Sequence, residues 1–232
     1  MRVAVLSDIH ANLEALQAAV RSAEARGADH LVNLGDVVGY GPDPGACLEV
    51  VRAEFAVNVM GNHDLAVAGG TIDYLPPDAQ AAVRLHREML TALQIEWLAG
   101  LPLRADTIDA VYVHAAPDHP ELWPRLETSR DTRRQFDAFE GAICFVGHSH
   151  RPAVVSDTLG VFRVRRGHRF LVDVGSVGQP RDQDPRLAYA LYDSEEFSVE
   201  IVREHYDRER TVVSLARVGL PANLGKRLRE GR

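Results

Sequence analysis

Cysteine is scarce in this chain. Only Cys47 and Cys144 occur among 232 residues, far apart and in no Cys-x-x-Cys pair. A disulfide-stapled scaffold and a thiolate metal site are thereby excluded; two reduced, buried thiols are the expectation and a single structural disulfide the alternative. No apolar run approaches the length of a membrane span. No signal-peptide pattern precedes the first strand-like run, Val3-Ala4-Val5-Leu6. Positive charge does not dominate either: 26 Lys and Arg face 33 Asp and Glu, a formal net charge of −7. A broad basic surface for nucleic-acid phosphates is therefore absent, although Arg163, Arg165, Arg166 and Arg169 can form a local patch. Low-complexity segments, repeats and a convincing linker are also missing. The expectation is a single cytoplasmic domain over residues 1–232. Its partner is a small molecule rather than nucleic acid or membrane, with a second copy of the chain left open.

What is present is an alternation of apolar runs. Residues 2–6 read as a buried strand, Asn12 to Arg26 as an amphipathic helix capped by Asn12 and stopped by Gly27, and His30 to Leu34 as a strand. Residues 44–54 read as a helix and Ala56 to Val59 as a strand, which predicts a parallel α/β sheet with right-handed crossovers. A helical insert is expected from Pro76 to Leu98, with Met89 and Leu93 in its core. Strands follow near 103–106 and 109–114, a helix over 128–139, and a strand from Ile143 to Val146. Beyond 152 the pattern becomes antiparallel, with strands at Val154-Val155, Val161 to Val164, Phe170 to Val174, Leu187 to Tyr192 and Ser198 to Val202. Helices close the chain at 208–218 and 221–229. The two halves are expected to pack sheet to sheet.

The chemistry sits in five islands: Ser7-Asp8-Ile9-His10, Gly35-Asp36, Gly61-Asn62-His63-Asp64, His114, and Gly147-His148-Ser149-His150. Asp8, Asp36, Asn62, His114 and His148 each follow an apolar strand, so they can converge on the rim where α/β sheets bind ligands. The spacing of two between Asp8 and His10, and between His148 and His150, puts each pair on one side of an extended backbone. Carboxylate and amide oxygens mixed with imidazoles suit Mn²⁺, Fe, Zn²⁺ or Co²⁺. Two such ions about 3.5–4 Å apart clamp a phosphate. A carboxylate with two oxygens can bridge them, and Asp36 is the candidate. Gly35, Gly61 and Gly147 permit turns and close backbone approach.

These islands resemble those of the calcineurin-like metallophosphoesterases: Asp-x-His, Gly-Asp, Gly-Asn-His-Asp, His and Gly-His-x-His. Asp8 to Leu16, Gly35 to Pro42, Gly175 to Arg181 and Gly219-Leu220-Pro221 are similar to a subgroup of small, stand-alone bacterial and archaeal predicted phosphodiesterases. The resemblance covers nearly the whole chain. It implies an α/β fold, a four-layer α/β/β/α sandwich of two mixed sheets flanked by helices. It implies one metal ion on Asp8, His10, Asp36 and His150, and another on Asp36, Asn62, His114 and His148, with Mn²⁺ the first choice and Fe, Zn, Co or Ni the alternatives. It also implies that His63 is a general acid or electrostatic partner of the phosphate, oriented by Asp64. Asp173 replaces a common Asn and places a carboxylate near the metals; His114-Ala115-Ala116-Pro117 replaces a common His-Gly-Ser-Pro.

Tyr40 with Pro42 lines the mouth of the site or forms a rigid surface turn. Ser176 and Gln179 contact substrate or form a structural turn. Arg181 meets a phosphate oxygen or an ion-pair partner in Asp182 or Asp184. Specificity is assigned to the loops around 40–45, 65–76, 115–125 and 176–185. His30, His86, His119, His168 and His205 match no island and are read as structural. The expected activity is a metal-dependent phosphoesterase, in first place a phosphodiesterase. A phosphomonoesterase, a non-catalytic metal-binding scaffold and a nuclease are the alternatives.

Overall fold

A computed structural model describes residues 1–232, the side chain of Ser129 excepted. Ten strands form two five-stranded mixed sheets. The first has β1 (Arg2–Leu6), β2 (His30–Asn33), β3 (Phe55–Asn58), β9 (Leu187–Asp193) and β10 (Ser198–Glu204), in the order β10-β9-β1-β2-β3. Strands β1, β2 and β3 run parallel, and β9 joins β1 antiparallel. The second sheet has β4 (Arg104–Asp106), β5 (Val111–Val113), β6 (Ile143–Val146), β7 (Ala153–Ser156) and β8 (Phe170–Asp173), in the order β4-β5-β6-β8-β7. Here β5, β6 and β8 are the parallel set and the edge strands are antiparallel. Both sheets thus carry a parallel trio whose carboxyl ends are available for a site.

The period-two pattern of β1 explains the layering. Val3 and Val5, with Tyr192 of the neighbouring β9, face the second sheet, where they share the inter-sheet core with Tyr112, Phe145 and Phe170. Ala4 and Leu6 face the opposite way, toward helices α1 (Leu13–Ala25) and α2 (Pro44–Glu54). The terminal helices α7 (Arg208–Arg217) and α8 (Ala222–Glu230) join the same layer through Leu215, Leu224 and Leu228. The far face of the second sheet has only a thin cover, Phe136 and Phe139 packing on Val111, Cys144 and Leu171. Both cysteines are buried and unpaired, and no helix is long and apolar enough to cross a membrane.

Asn62–Val67 is a short helix, α3, opened by the Gly-Asn-His-Asp island itself. Four local expectations fail. The insert is two helices, α4 (Pro77–Met89) and α5 (Ala92–Ala99), because Leu90 turns extended and Thr91 caps a new start by accepting the Gln94 N–H at 3.3 Å. Met89 and Leu93 flank that break and are exposed, at 45% and 72%. Residues 161–164 form no strand, and the 128–139 helix shortens to α6 (Ser129–Arg134) followed by a 3-10 turn. The arginine patch is only partly free: Arg169 lies 4.6 Å over the Phe139 ring and Arg166 5.7 Å over Phe197.

Candidate metal centre

The loops after β1, β2, β3, β5 and β6 carry Asp8, Asp36, Asn62, His114 and His148 to one rim. The backbone there is not extended. Asp8, His10, Asp36, His148 and His150 all have positive φ, between 48° and 66°. Each such residue costs on the order of 1 kcal/mol, an expense that clusters at functional sites. Extended backbone therefore does not set the spacing of either pair. Tight left-handed turns bring Asp8 and His10 together, and they send His148 and His150 to different clusters. Gly147 lets this happen, because a side chain there would run into Ser7 Oγ and Asp8 Oδ2. Gly35 likewise sits against the backbone of Gly61, which draws the second and third islands together.

Two ligand-type clusters result. In one, atoms of Asp8, His10 and His150 lie within 4.8 Å of one another; in the other, atoms of Asp36, His114 and His148 do. His150 Nε2 is 3.2 Å and His10 Nε2 3.6 Å from Asp8 Oδ1. Asp36 Oδ2 stands between the clusters, 3.7 Å from His10 Nε2 and 3.4 Å from His114 Nε2. Its other oxygen accepts the His63 N–H at 2.8 Å. Oδ2 is therefore the Asp36 oxygen that faces both clusters.

The donor set fits cations. His10, His114 and His150 each direct Nδ1 at a backbone carbonyl, of Val38, Leu34 and Gln179, at 2.9, 2.9 and 2.5 Å. That fixes the tautomer and turns the Nε2 lone pair inward. His10 Nε2 and His150 Nε2 then face each other at 3.3 Å beside two carboxylates, an arrangement of acceptors that calls for a positive charge. Asp8 Oδ1, Asn62 Oδ1 and His114 Nε2 are buried without a hydrogen-bond partner. Burial opposes a charged His114, yet Asp36 and Asp8 outweigh it and push its pKa up to about 9, a proton filling the cation's role. Burial alone would raise the Asp8 and Asp36 carboxyls; the surrounding imidazoles hold both below the ordinary range.

His63 lines the open side, its ring 4.7 Å from Tyr40 and 4.9 Å from His10. Its Nδ1 is buried, unpartnered and pressed toward Gly39, and burial holds the imidazole neutral. The expected Asp64–His63 hydrogen bond is absent. Asp64 instead accepts backbone N–H groups of Asp36, Gly61 and Val38 at 2.7, 3.0 and 3.2 Å, so it locks two ligand loops together. Burial and the nearby Asp36 raise its pKa to about 7, against the pull of those donors.

His86, from α4, also has a role beyond a generic core position. Its Nδ1 accepts the Gly39 N–H at 3.1 Å and its Nε2 donates to Gly41 O at 2.9 Å, clamping the turn that holds Tyr40.

Of the four residues assigned to substrate, two face the site. Tyr40 and Arg181 line a hollow of about 240 Å³ beside Asp36, Asn62, His63 and His148. Arg181 has found neither Asp182 nor Asp184. Those pair with Arg203 and Arg186, while Arg181 donates to the Gln179 amide oxygen at 2.9 Å. Ser176 is fully buried, donates to Asp8 O at 2.9 Å and accepts the Gln179 N–H at 2.8 Å, which makes it a turn residue. Gln179 is equally enclosed and supports His150 and Arg181. Asp173 accepts from Ser149 Oγ at 2.6 Å and Gly175 N at 2.9 Å and joins neither cluster; burial raises its pKa. Sequence reasoning named the specificity loops but not their principal side chains there, Tyr74, Trp123 and Arg125. Aromatic residues in turn-rich loops of an α/β rim were the available signal.

Known proteins resemble this chain in sequence and in fold. Residues 1–196 match the calcineurin-like phosphoesterase superfamily domain. An uncharacterized protein of Methanocaldococcus jannaschii is 36% identical over 242 aligned positions, covering 99% of this chain and 98% of that protein. The crystal structure of a metallophosphoesterase from Sphaerobacter thermophilus superposes with a TM-score of 0.89 at 35% identity, covering 100% of this chain and 99% of the other. A symmetrical bis(5′-nucleosyl)-tetraphosphatase of Chromohalobacter salexigens is 34% identical over 175 positions, 69% of this chain and 61% of that enzyme.

Proposed function

The chain belongs to the calcineurin-like phosphoesterase superfamily, and from that premise we propose that it hydrolyses phosphodiesters with two divalent metal ions. Asp8, His10 and His150 would hold one ion and Asn62, His114 and His148 the other, with Asp36 Oδ2 shared. Mn²⁺ is the first choice. The observation that carries the reading is Asp36 Oδ2, placed within 3.7 Å of an inward-facing Nε2 in each cluster. When bound, the ion pair supplies Lewis acidity to the phosphoryl oxygens and lowers the pKa of the attacking water.

The chain's own groups do the remainder. Arg181, free of a carboxylate partner among the described residues, orients a non-bridging phosphate oxygen. His63 has Nδ1 buried toward Gly39, so Nε2–H is the group that meets the leaving oxygen, donating a hydrogen bond to the charge that develops there. Asp64 positions His63 through the backbone rather than as a dyad partner. The new P–O bond comes from water, the ester P–O bond breaks, and the leaving alcohol takes the proton. Two buried, unpaired thiols support a reducing, cytoplasmic setting. The likeness to a tetraphosphatase favours a second reading, cleavage of a phosphoanhydride between two nucleotides.

The test is turnover by metal-stripped protein with Mn²⁺, Fe²⁺, Zn²⁺, Co²⁺, Ni²⁺ or Mg²⁺ restored singly. Metal-dependent hydrolysis of a 4-nitrophenyl diester faster than of the matching monoester is expected. Preference for the monoester overturns the diester assignment. Stoichiometric metal binding without turnover of any ester or anhydride overturns the catalytic reading in favour of a scaffold.

A further inference from the structure

The centre opens into two hollows, not one. The first, of about 240 Å³, lies between Tyr74-Leu75-Pro76 and Leu122-Trp123. The second, of about 500 Å³, is lined by the apolar Val146, Val155 and Leu171 and by both signs of charge, Arg125 and Arg151 with Glu127 and Asp173. His148, Arg125 and Arg181 line both, so the two hollows meet at the outer ligand cluster.

The walls of the first hollow stand on that cluster. The Tyr74 hydroxyl donates to Asn62 O at 3.3 Å, and the Trp123 ring meets His114 edge-on at 5.9 Å. Tyr74 and Leu122 are 53% and 70% exposed, an apolar and aromatic surface with no covering chain among the described residues. Trp123 holds a left-handed φ of 51°, a strained conformation that presents its ring to this space. Arg125 has no ion-pair partner among the described residues, and Arg151 binds Arg181 O at 3.0 Å through Nε. A phosphate monoester has one organic substituent and fills one hollow. A diester has two, diverging from the phosphorus at the point where these hollows join.

Resting on the phosphodiesterase reading above, we propose that the substrate is a nucleotide-sized diester with two large ester groups, one planar and aromatic seated between Tyr74 and Trp123, the other polar and lying across His148 under Arg125 and Arg151.

The experiment compares two diesters sharing the 4-nitrophenyl leaving group, thymidine 5′-(4-nitrophenyl phosphate) and methyl 4-nitrophenyl phosphate, on metal-loaded full-length protein. The thymidine ester is expected to have the higher kcat/KM by about tenfold, the low end of what one additional seated group contributes to discrimination. Ala153→Phe, on the edge strand β7 that lines the second hollow, is expected to cut that ratio to near one. Trp123→Ala is expected to raise KM for both esters. Equal kcat/KM in the parent protein, or an equal loss for both esters in A153F, overturns the proposal. A second measurement keeps it separate from the reading it rests on. With Trp97→Phe as background, Trp123 fluorescence reports binding of a dithymidine phosphorothioate. If no ester is turned over but quenching occurs and A153F abolishes it, hydrolysis fails and the two-armed site stands; if quenching is also absent, the site falls too.

Discussion

The two ligand clusters are built from the same residue types and sit in opposite surroundings. Asp8, His10 and His150 are sealed: each is no more than 2% exposed, and both imidazoles are pinned through Nδ1. Tyr40 covers them, with Arg181 and Arg227 over its ring at 5.5 and 5.4 Å. Arg227 comes from α8, beyond the part of the chain that matches the superfamily domain. The Asp36, His114 and His148 cluster opens at one residue: Asp36 and His114 are as buried as the first cluster, but His148 is only half-buried and both hollows reach it, whereas of the first cluster only His150 lines the smaller hollow. In the proposed reaction the pinned cluster would hold its charge in a fixed place, while His148 would stand beside the exchanging substrate.

Asp36 is where this division can be broken most severely. Asp36→Asn keeps Oδ1 as acceptor for the His63 N–H but removes the charge shared by both clusters. Both ions are expected to be lost on dialysis and turnover to fall on the order of 10³-fold, the scale of a lost transition-state electrostatic group. Metal analysis checks it. Retention of one full equivalent would mean that the clusters bind independently and that Asp36 is not shared.

The same residue shows what was legible beforehand. Strand ends followed by Asp, Asn or His identified the rim and its chemistry, because a buried strand that stops at a polar island leaves little else for that residue to do. Which Asp36 oxygen faces both clusters was hidden, since it depends on which one the His63 N–H claims. The roles of Asp64 and Ser176 were hidden for the same reason: their partners are backbone amides and carbonyls, which leave no trace in side-chain patterns. The absent strand at 161–164 had the right apolar residues but pairs with no neighbouring strand in either sheet. Trp123 and Arg125 read as ordinary loop residues until β5 and β6 place their loop over His114.

His63 sharpens the contrast from the open side. It binds neither cluster, yet its ring lines the hollow beside them. His63→Ala is expected to lower kcat about 10²-fold or more, the usual scale for a lost hydrogen-bond donor to developing charge. Metal content should stay at two equivalents, as read by elemental analysis. A variant that keeps its kcat, or that loses metal in proportion to activity, would move His63 from chemistry to scaffolding.

The smallest effect belongs to the sealed side and is read as stability. The bond from the Gly39 N–H leaves His86 Nδ1 without a proton, and Nε2 carries the one given to Gly41 O, so the clamp needs a neutral ring. Burial depresses the His86 pKa to about 4, against an unfolded value near 6.5. The sign follows from where protons bind. Between those two values the unfolded chain takes up a proton at this position and the folded one does not, so the contribution is complete above about pH 6.5 and is lost as pH falls toward 4. A shift of this size corresponds to about 3 kcal/mol across that window. His86→Gln offers an oxygen to Gly39 N and an N–H to Gly41 O but does not titrate. Denaturant unfolding at pH 7 and pH 5 is therefore expected to show a shallower loss of stability in H86Q than in the parent. If the two slopes coincide, the turn that shields the inner cluster does not depend on a neutral His86, and the sealing of that cluster rests on Tyr40 and its two arginines instead.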